Sequence, residues 1–239
     1  MNTRLYATAM RLFAKRSVTG SATITRMHSS FSYSTPVLDK PSPWKLDHST
    51  DMVFVGSCFS ENISEELRKL SFRALSNPMG IIYNPLSIAQ CVQNVIDQRL
   101  FNESDIMEST EGATTIYHTW SHHSIYSSMD PHDILDHIQK DMNEAHTRLA
   151  SCKALFITVG TSKTYFLNTT GKVVANCHKR PSSEFTKRWI SVEETVTALS
   201  AVVRYCNLFN PALNIVLTVS PIRHTRDGLV ENVRSTRTT

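Results

Sequence analysis

The stretch "VFVGSCFSENISEEL", Val53 to Leu67, decides the fold predicted for this chain. The short apolar run Asp51–Gly56 predicts a buried β-strand that stops at a glycine. Ser60 is the predicted N-cap of the helix that follows, because a serine side chain can accept a hydrogen bond from the first turn. A strand therefore becomes a helix within four residues, and Ser57 and Cys58 occupy the corner.

The rest of the chain alternates between helical and strand patterns. Asn84-Pro85 and Asp130-Pro131 predict two helix starts, and a capping box, Ser191 with Glu194, predicts a third. Two more buried strands are predicted, at Ala154–Val159 and Leu213–Val219. A hairpin with a Thr-Gly turn is predicted at Thr164–Asn176. Buried strands separated by helices favour an α/β fold with a mostly parallel sheet, whose sites lie at the carboxyl ends of the strands.

Composition excludes several classes of protein. The 239 residues suffice for one domain plus a tail, and no apolar run approaches the ~20 residues of a membrane-spanning helix. Five irregularly spaced cysteines without a CxxC pair argue against a disulfide framework and a zinc site, and favour reduced thiols. Because there is no Walker motif, dinucleotide glycine motif or HExxH pair, we predict neither a cofactor nor a metal.

Residues 1–38 differ from the rest of the chain. They contain five basic residues, twelve serines or threonines and no acid. Arg4, Arg11 and Lys15 fall on one helix face and apolar residues on another, which predicts an organellar transit peptide and a mitochondrial or plastid location. The alternatives are a disordered basic tail and a cytoplasmic protein. Without this leader, twenty basic residues face twenty-one acidic ones, so charge gives no reason to expect nucleic-acid binding.

The corner after the first strand carries a chemical signal. A hydroxyl there projects into the cleft above a parallel sheet, and N–H groups at a helix start can hold an oxyanion. Ser57 needs a base to be a nucleophile, because serine at its ordinary pKa is unreactive. Cys58 is the rival nucleophile, since a helix N-terminus stabilises a thiolate. The pattern alone leaves Ser57, Cys58 and a purely structural corner open.

Four blocks in order resemble the GSCFA-domain family, which is regarded as part of the SGNH (GDSL-like) hydrolase superfamily. They are "GSCFS", "NPMGIIYNPLSI", "ITVGTSKTYF" with "GKVVANCHKRPSSEF", and "LTVSPIRHTRDGLVEN", and they span Asp51 to Asn232. The resemblance implies a flavodoxin-like three-layer α/β/α sandwich. It also implies a serine ester hydrolase or O-acyltransferase acting on a small acylated substrate, with no nucleic-acid partner and no membrane span expected.

The resemblance implies positions in this chain for only some of the superfamily's oxyanion-hole donors. Ser57 stands at the position of the nucleophile, and its own N–H is an expected oxyanion donor. Gly80 is the expected second donor. The third donor is normally an asparagine in a GxND stretch, which this chain lacks after Gly160. Thr161, Ser162 or Asn176 is the expected substitute.

The catalytic base is not identified by the resemblance. The superfamily takes it from a DxxH stretch, and none of the ten aspartates here has a histidine three residues later. His224 and His178 are the candidate bases, and Arg223 is a candidate substrate-binding residue. The alternative is a non-catalytic binding domain in which Arg223, His224 and Lys179 hold an anionic small ligand.

The end of the chain departs from the family pattern. By resemblance, "GLVEN" should lead into a helix, a strand and the acid–histidine segment, but the sequence continues "VRSTRTT". We therefore predict an incomplete domain, 39–234, followed by a short tail, 235–239. The last strand and helix would be missing, a sheet edge and apolar surface would be exposed, and activity would be weak or absent.

Overall fold

The chain folds around a four-stranded parallel sheet, seen in a computed structural model that describes residues 42–222, 228, 230, 233 and 235. The strands are β1 (Asp51–Gly56), β2 (Arg73–Ser76), β5 (Ala154–Val159) and β9 (Asn214–Val219), in the order β2-β1-β5-β9. Helices flank this sheet, which confirms the predicted three-layer α/β fold. The predicted leader, Arg223 and His224 lie outside the described residues.

Four helices connect the strands: α1 (Cys58–Lys69), α2 (Pro85–Ile96), α3 (Pro131–Ser151) and α4 (Val192–Phe209). The predicted N-caps of the last three are confirmed, since Asn84, Asp130 and Ser191 each accept a hydrogen bond from the first turn. The predicted cap of α1 is wrong. Ser57 caps that helix, and Ser60 instead donates from its Oγ to the Val55 carbonyl at 3.4 Å.

The core lies between the sheet and the apolar faces of α2 and α3. All six residues of β5 are buried, as expected of a central strand of a parallel sheet. The buried face of α3 is formed by Ile134, Ile138, Met142, Ala145 and Leu149. A leucine follows the end of each of the first two helices and does not join the core: Leu70 after α1 is 50% exposed, and Leu100 after α2 is 73% exposed.

Two small antiparallel sheets complete the described fold. One pairs β3 (Ile106–Glu111) with β4 (Thr114–Thr119), and the other has the order β7-β6-β8. Its strands are β6 (Lys163–Leu167), β7 (Val173–Val174) and β8 (Phe185–Trp189), so the predicted hairpin is confirmed as β6 and β7. The two sheets bring the loop after β4 and the loop after β7 together, because the Ala175 N–H donates to the Trp120 carbonyl at 2.8 Å.

Strand β9 lies at the edge of the central sheet, with β5 as its one strand neighbour in the described part of the chain. Leu217 and Val219 on this strand are 47% and 44% exposed. With the exposed α4 residues Val196 and Leu208, Leu217 lines a shallow apolar groove. No helix in the described ranges is long and apolar enough to cross a membrane.

Candidate active site at the carboxyl end of the sheet

The corner at Ser57 is built by a glycine that no other residue can replace without strain. Gly56 has φ +134°, and a Cβ added there would lie 2.1 Å from the Thr158 carbonyl oxygen of the neighbouring strand. This backbone conformation lets the chain turn from β1 into α1 with Ser57 as the single linking residue. The Ser57 side chain is fully buried, and its Oγ accepts the Phe59 N–H at 3.3 Å.

A second glycine makes room beside Ser57. A Cβ added to Gly160, at the end of β5, would lie 3.1 Å from the Ser57 Cβ and 2.9 Å from the Tyr83 ring. The N–H groups of Gly160 and Thr161 donate to the Tyr83 carbonyl at 2.8 and 3.2 Å. The missing side chain of Gly160 therefore leaves room for both the Ser57 side chain and the Tyr83 ring at the end of β5.

Tyr83 also interacts with Cys58, the residue that follows Ser57 at the corner. Burial raises the pKa of Tyr83, as do the charge interaction and the side-chain hydrogen bond with Cys58. Tyr83 and Cys58 are both only partly buried, whereas Ser57 is inaccessible. Ser57 is therefore closed to a ligand in this conformation.

The loop between β2 and α2 is tied to the sheet by Asn77, a residue that the sequence analysis did not single out. The Asn77 Oδ1 accepts the Gly56 N–H at 2.9 Å, and its own N–H donates to the Phe54 carbonyl at 2.8 Å. The Asn77 Nδ2 donates to a Glu61 carboxylate oxygen at 2.9 Å. Asn77 has φ +43°, a backbone conformation that asparagine tolerates better than most residues. The asparagine itself is therefore the one feature of the sequence that fits this position.

Two of the expected oxyanion donors are engaged elsewhere. The Ser57 N–H donates to the Thr158 carbonyl at 3.1 Å, and the Gly80 N–H donates to the Asn77 carbonyl at 2.7 Å. Gly80 serves packing instead, since a Cβ added there would lie 2.2 Å from the His123 Cβ. An oxyanion hole of the predicted composition is therefore not formed in this conformation.

The first turn of α1 offers a different donor. The Cys58 N–H has no hydrogen-bond partner among the residues that the structure describes, and the Phe59 N–H is bonded only to the Ser57 Oγ. Both point from the positive end of a twelve-residue helix. These two amides can stabilise negative charge next to Ser57.

Thr161 and Ser162 lie directly after Gly160 and contact the C-terminal part of the chain. The Ser162 N–H and the Thr161 Oγ1 each lie 2.9 Å from the Ser235 Oγ. Asn176 has no described contact with Thr161 or Ser162. Its Oδ1 instead accepts the His178 N–H at 2.9 Å within its own turn. Of the three expected substitutes for the third oxyanion donor, Thr161 and Ser162 are therefore the two at the sheet end.

His178 lies in a cluster of buried histidines on the β3–β4 side of the molecule. Its Nε2 is 2.9 Å from the Thr119 carbonyl, and its ring centroid is 4.4 Å from that of His118. Burial, with His118 and His123 nearby, lowers the pKa of His178 to about 4. No described contact joins His178 to Ser57, so the structure does not pair these two predicted residues.

His122 is the fully buried member of this cluster. Its Nδ1 is hydrogen-bonded to the Thr119 Oγ1, while its Nε2 and the Nδ1 of His178 have no partner among the described residues. Burial, then the charges of Arg99 and His178, lower the pKa of His122 to about 3. The described residues contain no group of three or more histidine, cysteine or acidic side chains that could hold a metal ion.

A cavity of about 720 Å³ lies beside α2, between the end of β4 and the β6–β7 hairpin. Leu86, Gln90 and Trp120 are among its lining residues, and Ser57 is not. Leu86 lies three residues after Tyr83 in the sequence, and Tyr83 does not line this cavity either.

Comparison with known proteins gives one match. The family model described as the GSCFA family matches residues 51–238, which include every element of the central sheet. No curated protein and no solved structure matches the chain.

Proposed function

Because this chain belongs to the GSCFA family, we propose that the end of its sheet is a serine acyl-transfer site with Ser57 as the nucleophile. The substrate is a small ester, and the acyl group passes to water or to a second alcohol. The observation that carries this proposal is the position of the Ser57 Oγ between the carboxyl end of β1 and the first amides of α1. Negative charge that develops there faces the positive end of a helix.

The chemistry assigns a role to each part of the corner. The Ser57 Oγ attacks the acyl carbon and its proton passes to a base. The base then gives the proton to the alcohol oxygen as the bond from the acyl carbon to that oxygen breaks. Water or a second alcohol then releases the acyl group from Ser57. The amides of Cys58 and Phe59 bind the oxyanion once the Ser57 Oγ stops capping the helix. His224 is the candidate base because it follows β9, whose carboxyl end meets the same sheet edge.

The expected result of a labelling experiment follows directly. A fluorophosphonate probe should modify the full chain slowly, because Ser57 is fully buried and must become accessible before it can react. Ser57→Ala should reduce labelling by on the order of 10⁴-fold or more, since the attacking atom is removed. Labelling is read as probe fluorescence on the purified protein, with a thermal melt for each variant.

Ser60→Ala is the matched control. Ser60 lies on the same helix and is equally buried, but its Oγ contacts the Val55 carbonyl rather than the corner. Its labelling should equal that of the wild type. Equal labelling of the wild type and Ser57→Ala would refute Ser57 as the nucleophile.

A non-catalytic binding domain is the second candidate function. The complete burial of Ser57 and the engaged N–H groups of Ser57 and Gly80 favour it. In this case Lys179, Arg223 and His224 hold an anionic small ligand, and Ser57 serves as the cap of α1. A chain that melts cooperatively and never reacts with the probe would support this function over acyl transfer.

A further inference from the structure

Three polar groups at the end of β5 converge on one oxygen atom. The Thr161 Oγ1 and the Ser162 N–H each lie 2.9 Å from the Ser235 Oγ, and the Ser162 Oγ donates to the same oxygen at 3.3 Å. We call these three groups the oxygen cradle. Ser162 is fully buried and Ser235 is 6% exposed, so the contact is shielded from water.

The oxygen cradle directly follows Gly160, the glycine that lies beside the proposed nucleophile. Thr161 and Ser162 directly follow Gly160, which packs against the Ser57 Cβ and the Tyr83 ring. A backbone N–H and two hydroxyls that meet at one point suit an oxygen that accepts hydrogen bonds. A carbonyl or carboxylate oxygen accepts such bonds as readily as the hydroxyl oxygen of Ser235 does. The cradle therefore has the chemistry to bind the carbonyl oxygen of an acyl ligand.

We propose that Ser235 is an intramolecular plug, whose hydroxyl occupies the oxygen cradle and keeps it closed to the carbonyl oxygen of an acyl ligand. The identity of that ligand rests on the proposed function, whereas the occupation of the cradle does not. A group on the same chain competes at an effective concentration that reaches the millimolar range. A free ligand would have to displace Ser235 first, and its apparent affinity falls by the fraction of time for which the cradle is open.

The test uses the full chain and two readouts at the Ser162 amide by ¹⁵N NMR. The first readout is hydrogen exchange of the Ser162 N–H, which should be at least about tenfold faster in Ser235→Ala because the accepting oxygen is gone. The second is the chemical shift of the same amide during titration with acetate, a small carboxylate. Acetate should move the Ser162 resonance in Ser235→Ala and leave it unmoved in the wild type.

Two variants serve as controls. Ser235→Thr keeps the hydroxyl and should behave like the wild type in both readouts. Ser151→Ala removes an exposed hydroxyl at the end of α3, bonded only within its own helix, and should change neither. If Ser235→Ala does not melt cooperatively, Thr161→Val replaces it. That variant removes one hydroxyl of the oxygen cradle. The hydrogen-exchange rate of its Ser162 N–H should also be higher than in the wild type.

The results that overturn the plug differ from those that overturn the proposed function. Unchanged Ser162 exchange in Ser235→Ala would show that Ser235 does not occupy the cradle. Faster exchange without an acetate shift would show that the contact is structural and closes no binding site. Neither readout needs Ser57 to react, so a chain that never labels with the fluorophosphonate refutes acyl transfer and leaves this proposal standing.

Discussion

Gly56→Ala should prevent the chain from folding or destabilise it by roughly 4 kcal/mol or more. The added Cβ would lie 2.1 Å from the Thr158 carbonyl oxygen, a backbone atom in the middle of the sheet that cannot move away. Gly56 also has φ +134°, which an alanine rarely adopts. Since a typical domain is stable by about 5–15 kcal/mol, this loss removes a large share of the available stability. Urea denaturation followed by circular dichroism measures it.

Gly171→Ala is a control that measures the free-energy cost of placing an alanine at positive φ where the added Cβ meets no other atom. Gly171 lies at the turn of the β6–β7 hairpin with φ +67°, and a Cβ added there would meet no atom within 4 Å. Its replacement should cost about 1–2 kcal/mol, the ordinary price of an alanine in this region. If Gly56→Ala and Gly171→Ala lowered the free energy of unfolding by similar amounts, Gly56 would not lie as close to the Thr158 carbonyl as the structure places it.

Mild acid should destabilise the protein strongly. The pKa of His122 is lowered from 6.5 to about 3 and that of His178 to about 4, mainly by burial. The unfolded chain therefore binds protons below pH 6.5 that the folded chain does not, so stability is complete above this pH and falls as the pH is lowered towards 4. At pH 4.5 the two histidines together should cost roughly 5 kcal/mol relative to neutral pH.

A single substitution should remove about half of this acid sensitivity. His178→Gln cannot take up a proton, while its side-chain amide can still donate to the Thr119 carbonyl as the His178 Nε2 does. The loss of unfolding free energy between pH 7.5 and 4.5 should shrink by roughly 2–3 kcal/mol in this variant. His132→Gln, at an exposed position of α3, should leave it unchanged. An equal loss in the wild type and His178→Gln would mean that His178 is not held neutral by burial.

The sequence predicts the helix starts of this fold well, because the residues that determine them are close together in the chain. Asn84-Pro85, Asp130-Pro131 and the Ser191–Glu194 capping box each mark a helix start within a few residues, because the capping atoms belong to neighbouring residues. Strands β2 and β8 were missed, since "RALS" and "FTKRW" are short and carry no apolar run. Their pairing with β1 and β6 is set by tertiary contacts that spacing does not reveal.

The strand-to-helix corner was predicted from the sequence, but its hydrogen bonds were not. The corner at Gly56 and Ser57 follows from a strand that ends at a glycine before a helix. The hydrogen-bond partners of the expected donors come from distant segments: Thr158 for the Ser57 N–H and Ser235 for the Ser162 N–H. Sequence spacing carries no information about such contacts. Asn77 was overlooked for the same reason, because its side chain acts on Gly56, twenty-one residues away.

The most direct test of the central claim is to locate the fluorophosphonate adduct by tandem mass spectrometry. The peptide that spans the β1–α1 corner contains Ser57, Cys58 and Ser60, so fragmentation must assign the added mass to one of them. If Ser57 is the nucleophile, there should be a single adduct, on the Ser57 Oγ. An adduct on Cys58 or on any other residue, or a folded chain that carries none, would contradict it.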